Sequence, residues 1–262
     1  MKKRLLSAIL SFCMLLTMAP TVAFAAEDDD GSTVPATSGT CGAEGSADSV
    51  KWALTDDDGD GSYTLTISGS GAMADYTVNI NNAKATQPWR AGATGVEIEK
   101  ITNVVVSDGV TSIGAFAFNG LTGVSEYDIG ANVIAINQWA LETSAAKAFN
   151  LKEDTNFQTD VDGVLFNKDG TTLIAYPGGS AVQDEYTVPS DVTAISDGAF
   201  VGCPIKKLTI GNNVTEELPS WSFNGGVLEE LDVNCPFGKS TFAQITLSLI
   251  HISEPTRHAQ IS

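Results

Sequence analysis

Glu185-Tyr186-Thr187-Val188-Pro189-Ser190-Asp191-Val192-Thr193-Ala194-Ile195-Ser196-Asp197-Gly198-Ala199-Phe200 reads as one copy of a unit that recurs along the chain. A short alternating strand comes first, then a turn, a Val-Thr-x-Ile step, and a small residue beside a large ring. Upstream, Asn103-Val104-Val105-Val106 precedes Val110-Thr111-Ser112-Ile113 and Ala117-Phe118. Glu126-Tyr127-Asp128-Ile129 likewise precedes Val133-Ile134-Ala135-Ile136 and Ala140-Leu141. Downstream, Lys207-Leu208-Thr209-Ile210 precedes Val214-Thr215 and Ser222-Phe223, and Glu230-Leu231-Asp232-Val233 opens a further copy. Strand starts are separated by 23, 59, 22 and 23 residues.

A period near 23 residues predicts a solenoid in which each coil adds one strand to a parallel sheet. Side chains alternate along a strand, so two columns point inward. One is Val104, Tyr127, Tyr186, Leu208 and Leu231; the other is Val106, Ile129, Val188, Ile210 and Val233. The outward positions are then Asn103, Val105, Glu126, Asp128, Glu185, Thr187, Lys207, Thr209, Glu230 and Asp232. A solenoid presents them as one extended surface, the expected binding face; the plainer alternative is a solvated acidic sheet face that discourages edge pairing. A second column, Phe116, Trp139, Gly198 and Trp221, stands just before the small residue of each pair. Aromatics in register could stack on sugars or anchor a protein partner, or simply pack coil against coil.

The step of 59 contains a hairpin insertion at 163–176. Gly163-Val164-Leu165-Phe166 and Thr171-Thr172-Leu173-Ile174 flank an Asp-Gly turn at Asp169-Gly170, so the insertion projects from the solenoid or replaces a coil. The solenoid is expected over 96–246. Before it, 41–95 reads as a β-hairpin block: Val50, Trp52 and Leu54 alternate on one strand, and Tyr63, Leu65 and Ile67 on the next. Residues 26–40, acidic and then rich in Ser, Thr, Gly and Pro, read as a flexible leader.

Both ends are expected to lie outside the fold. Met1-Lys2-Lys3-Arg4, the apolar run to Pro20 and Ala23-Phe24-Ala25 form a secretory signal peptide over 1–25, which places the mature protein outside the cytoplasm with no membrane insertion after cleavage. Leu247-Ser248-Leu249-Ile250-His251-Ile252-Ser253-Glu254-Pro255-Thr256-Arg257 resembles, codon by codon, a translated transposase sequencing adapter. His258-Ala259-Gln260 fits a sample index, and Ile261-Ser262 the constant bases after it. Residues 247–262 are therefore expected to be non-native, with the natural gene running past Thr246.

Composition narrows the function. The chain has 262 residues, is 43% apolar and carries a formal net charge of −18. The apolar content supports a core and excludes general disorder. The acidity argues against nucleic acid and anionic lipid, which need clustered Lys and Arg. Both histidines, His251 and His258, fall in the tail, so Ser-His-Asp and Cys-His pairs and the commonest zinc sites are not expected. Asp56, Asp58 and Asp60 with Gly61 look like the start of a calcium loop, but Ile67 stands where the closing Glu should be, which favours an acidic hairpin turn. Cys41, Cys203 and Cys235 remain after cleavage; one pair plus a free thiol is open, and structural filling is the simpler reading. Asn213-Val214-Thr215 is a formal glycosylation sequon, read here as a turn. No cofactor, metal or catalytic residue is expected.

The Ala-Phe pairs, the Val-Thr-x-Ile step and the Gly163-to-Leu173 insertion together resemble BspA-like bacterial leucine-rich repeat proteins. So does the leading block with Cys41-Gly42, Trp52-Ala53-Leu54, Leu65-Thr66-Ile67-Ser68-Gly69-Ser70-Gly71-Ala72-Met73 and Pro88-Trp89. The resemblance covers Cys41 to about Val233; the chain departs in having few coils, a degenerate fourth copy and no C-terminal cap. It implies a mainly β leucine-rich-repeat solenoid with a parallel sheet, preceded by the N-terminal hairpin block. It also implies a secreted or cell-surface, non-enzymatic protein that adheres to a host or bacterial surface protein. Two rivals remain open: a carbohydrate-binding module using Trp139 and Trp221, with a glycan as partner, and an accessory repeat region of a larger secreted enzyme.

Overall fold

The computed structural model describes residues 26–27, 33–34, 37–56, 58–79, 84–90, 94–141, 145–179, 184–220, 222–238, 241 and 249–252. The expected signal peptide and Trp221 lie outside the described residues.

Alternating apolar residues build a six-stranded sheet in the spatial order Ala148–Leu151, Glu126–Ile129, Ile101–Val106, Tyr63–Gly69, Val50–Thr55 and Ser38–Thr40. The first four run parallel, and the last three pair antiparallel. Strand Tyr63–Gly69 thus belongs to both: it closes the hairpin, with Leu54 opposite Leu65, and lays down the template for the first coil, with Leu65 opposite Val104. The ladder reaches into the expected leader. Ser38–Thr40 pairs with Lys51–Ala53, so the block starts at residue 38 rather than 41; the free edge of the hairpin supplies the hydrogen bonds that order it.

The interval of 59 residues resolves into a missed coil and an insertion. Ala148–Leu151 pairs parallel to Glu126–Ile129, with Tyr127 opposite Phe149, one 22-residue step on. The insertion is wider than 163–176: Phe157–Thr159, Leu165–Asn167 and Thr172–Ala175 form an antiparallel meander. The Asn167 carbonyl accepts the Gly170 amide at 3.0 Å across its tight turn, where Gly170 has φ +70°. Thr172–Ala175 then runs parallel to Ala194–Ile195.

Beyond the insertion a second parallel sheet runs Glu185–Thr187, Lys207–Ile210, Glu230–Val233 and Leu249–Ile252. The last strand lies in the tail read above as non-native. Its backbone pairs in parallel with the open edge of strand Glu230–Val233, and Ile250 and Ile252 stay exposed.

Both inward columns are buried, none of the ten residues being more than 7% exposed. Rings extend the core from coil to coil. Phe118, Tyr127 and Phe149 follow one another at centroid distances of 5.7 and 5.9 Å, and Trp89 joins them to Trp52 and Tyr76 under the N-terminal block. A second cluster past the insertion holds Tyr176, Tyr186, Phe200 and Phe223.

Candidate functional site

The ten outward positions are exposed or half-buried, as strand alternation requires. They fall on two hydrogen-bonded sheets: Asn103, Val105, Glu126 and Asp128 on the first, and Glu185, Thr187, Lys207, Thr209, Glu230 and Asp232 on the second. The insertion causes the division, because Ala148–Leu151 and Glu185–Thr187 belong to different sheets.

Within each sheet the strands place these side chains in rows. Asn103 lies opposite Glu126 and Val105 opposite Asp128. Asn150, from the coil that periodicity overlooked, donates its amide to Asp128 at 2.8 Å and to Glu126 at 3.3 Å, holding the two carboxylates together. The alternation of Phe149 and Leu151, 22 residues after Tyr127 and Ile129, was the available signal for that coil. On the second sheet Lys207 lies between Glu185 and Glu230 and pairs with Glu230 at 3.0 Å. That hydrogen bond, reinforced by the charge of Glu230, raises the Lys207 ammonium above its ordinary value.

The aromatic column follows from a turn. Three of the coils close a four-residue turn between the minor strand and the small residue. The Ala117, Ala140 and Ala199 amides donate to the carbonyls of Gly114, Asn137 and Ser196. The third residue of each turn has positive φ: Phe116 at 56°, Trp139 at 58° and Gly198 at 80°. Glycine suits that position, as in type II turns. A bulky residue there is strained by roughly 1–2 kcal/mol. Packing holds the two aromatics in place. Their rings are parallel within 1° at 6.3 Å between centroids. The Trp139 indole in turn lies against Gly198, where an added Cβ would come within 3.1 Å of its Cε3. Gly198 is therefore glycine for two reasons, its φ and the ring that covers it.

The remaining candidates resolve into local structure. Asp56, Asp58 and Asp60 bring carboxylate oxygens within 4.8 Å of one another. They accept backbone amides: Asp56 from Gly59 at 2.7 Å and Gly61 at 3.0 Å, Asp58 from Asp60 at 3.3 Å, and Asp60 from Ser62 at 2.7 Å. The Ser62 amide holds the Asp60 carboxyl below its ordinary value. Cys41, Cys203 and Cys235 are free and buried. Burial pushes the Cys203 thiol up to about 11 and the other two up to about 12, which suppresses the nucleophilic thiolate. Asn213 donates to the carbonyls of Val192 at 2.6 Å and Pro189 at 3.1 Å, tying its coil to the previous one. Among the described residues no helix is long and apolar enough to cross a membrane.

Among solved structures the chain is similar to a leucine-rich repeat protein from Eubacterium ventriosum, at 20% identity over 81% of this chain and 78% of that one, with a TM-score of 0.29. It is also similar to the pneumococcal vaccine antigen PcpA, at 13% identity over 80% and 93%, with a TM-score of 0.31. A leucine-rich cell surface protein from Faecalibacterium prausnitzii is similar at 13% identity over 80% and 94%, with a TM-score of 0.27. No curated protein matches. The model of the BspA type leucine rich repeat region matches residues 97–167 and 180–262 in 6 copies. The strands at 101–106, 126–129, 185–187, 207–210 and 230–233 all lie within those matches, and on that ground the chain belongs to the BspA-type leucine-rich repeat family.

Proposed function

We propose that this is an exported, non-enzymatic binding protein that holds a protein on a bacterial or host surface through its outward sheet faces. The observation that carries the reading is the row geometry. Parallel strands in fixed register hold Glu126, Asp128 and Asn150 on one face, and Glu185, Lys207, Glu230 and Asp232 on the other, at positions that do not depend on loop conformation. A rigid polar array of this kind contributes orientation and charge matching rather than a closed pocket. The neighbours named above, a cell surface protein and a vaccine antigen, agree with exposure at a surface. The absence of histidine from 26 to 246 and the protonated thiols favour binding over catalysis.

The test is a binding assay of the labelled chain on host matrix proteins, whole bacteria and a glycan array. The comparison is a variant carrying Glu126→Ala, Asp128→Ala, Glu230→Ala and Asp232→Ala. We expect protease-sensitive binding that drops about tenfold in the variant, the loss of roughly 1.4 kcal/mol, with its melting temperature unchanged. Undiminished binding by the variant would refute the sheet-face assignment. Saturable binding to glycans alone would replace the protein ligand with a carbohydrate.

A further inference from the structure

The insertion leaves a notch on the turn side of the solenoid, away from the sheet faces. In an ordinary coil four residues lie between the paired minor-strand position and the ring, as between Ile113 and Phe118 and between Ile195 and Phe200. The inserted coil has only two, between Leu173 and Tyr176. Leu173 lies opposite Ile195, and the Tyr176 amide donates to the Ala199 carbonyl as the Phe118 amide does to Ala140. The inserted coil therefore lacks the turn residues. At that level the coils on either side meet directly, the Trp139 amide donating to the Asp197 carbonyl at 3.3 Å.

Where the turn is missing, a shallow notch with room for a group the size of one water is lined by Ile136, Ala140, Leu141, Ile174 and Ala175 and by Asn137, Ser196, Asp197 and Gly198. Trp139, lying against Gly198, borders it. The Asn137 amide is oriented by its bond to Asp75 at 3.1 Å. The Asp197 carboxyl is different: it is half-buried, and among the described residues no donor or cation meets it. Burial alone acts on it and raises it above its ordinary value. A partly desolvated carboxylate without a partner is costly, and a cation from outside the chain would remove that cost.

We propose that this notch is a subsite for one primary ammonium group, the end of a lysine side chain, with the Asp197 carboxylate as counter-ion. The hydroxyl of Ser196 and the amide oxygen of Asn137 offer acceptors for the ammonium protons. Half-buried Ile174 offers apolar surface at the rim to the methylene next to the ammonium. The narrow floor favours a compact ammonium over the wider guanidinium fork. The site is independent of the sheet faces, and its test separates the two.

The probe is n-butylammonium, titrated at low ionic strength into the full chain labelled with ¹⁵N, with n-butanol as the neutral analogue. We expect saturable shifts confined to the backbone amides of Asn137 and Ser196 through Ala199, and to the Trp139 indole. n-Butanol should leave them unmoved. Asp197→Asn should weaken binding at least about tenfold while keeping the dispersed spectrum of the folded chain. The four-carboxylate sheet-face variant should bind n-butylammonium as the parent does. Equal shifts with n-butanol, undiminished binding by Asp197→Asn, or loss of the shifts in the sheet-face variant would each overturn the proposal. So would a titration without saturable shifts, which would leave the notch to water. Should Asp197→Asn lose its dispersion, the comparison of ammonium with alcohol on the parent chain still decides.

Discussion

Trp139 shows how one residue can oppose its own backbone. Its φ of 58° belongs to glycine's territory, yet its ring is parallel to Phe116 and covers Gly198. Two substitutions separate the terms. Trp139→Ala removes the ring and keeps a Cβ in the left-handed region, while Trp139→Gly removes both. In ordinary helix or strand positions glycine is the worse choice; here Trp139→Gly should be more stable than Trp139→Ala by about 1 kcal/mol. Chemical denaturation of the two variants measures the difference. The reverse order would mean that the turn does not impose the φ.

At the scale of elements, the overlooked coil at Ala148–Leu151 should prove as structural as the copies that were legible. Phe149 is 6% exposed and continues the ring column 5.9 Å from Tyr127. Phe149→Ala should cost about 3–5 kcal/mol, as large-to-small changes at buried rings do. A loss below 1 kcal/mol in a denaturation experiment would place the coil outside the cooperative core. Its partner on the outward side, Asn150→Ala, removes the amide that bridges Glu126 and Asp128 without touching the core. The two changes thus distinguish an element's two faces. The repeat hid this coil because its minor strand is replaced by the meander from Phe157 to Ala175, so only half of the repeated pattern survives there.

For the whole molecule, three buried thiols report on global unfolding. Cys41 and Cys235 sit near opposite ends of the fold and Cys203 between them. Their ordinary value is 9.0, and folding raises it to between about 11 and about 12. In the unfolded chain the protons leave near 9.0, while the folded chain keeps them to higher pH. Stability should therefore fall as pH rises above 9.0, and the contribution should be complete below that value. In a chain that begins at Ala26, an aromatic disulfide reagent should find no fast-reacting thiol in the native state at pH 8, and three after denaturation. A thiol that reacts at once in the native state would contradict the burial described here.

Periodicity determined that this chain is a solenoid, because a 22–23-residue unit with one short alternating strand is too short for a propeller blade and buries its inward face by stacking on its neighbours. Both inward columns and the Ala-Phe packing were legible for the same reason: alternation and a small residue beside a ring are local properties. The outward residues were legible as a set, but their division into two sheets was not. That division depends on which strand pairs with which, and the insertion alters the pairing without altering the pattern on either side. Only the tertiary structure decided that Trp139 meets Gly198 across the missing turn and that Asn150 joins two carboxylates. Such contacts link residues of neighbouring coils, and their geometry exists only once the coils are stacked.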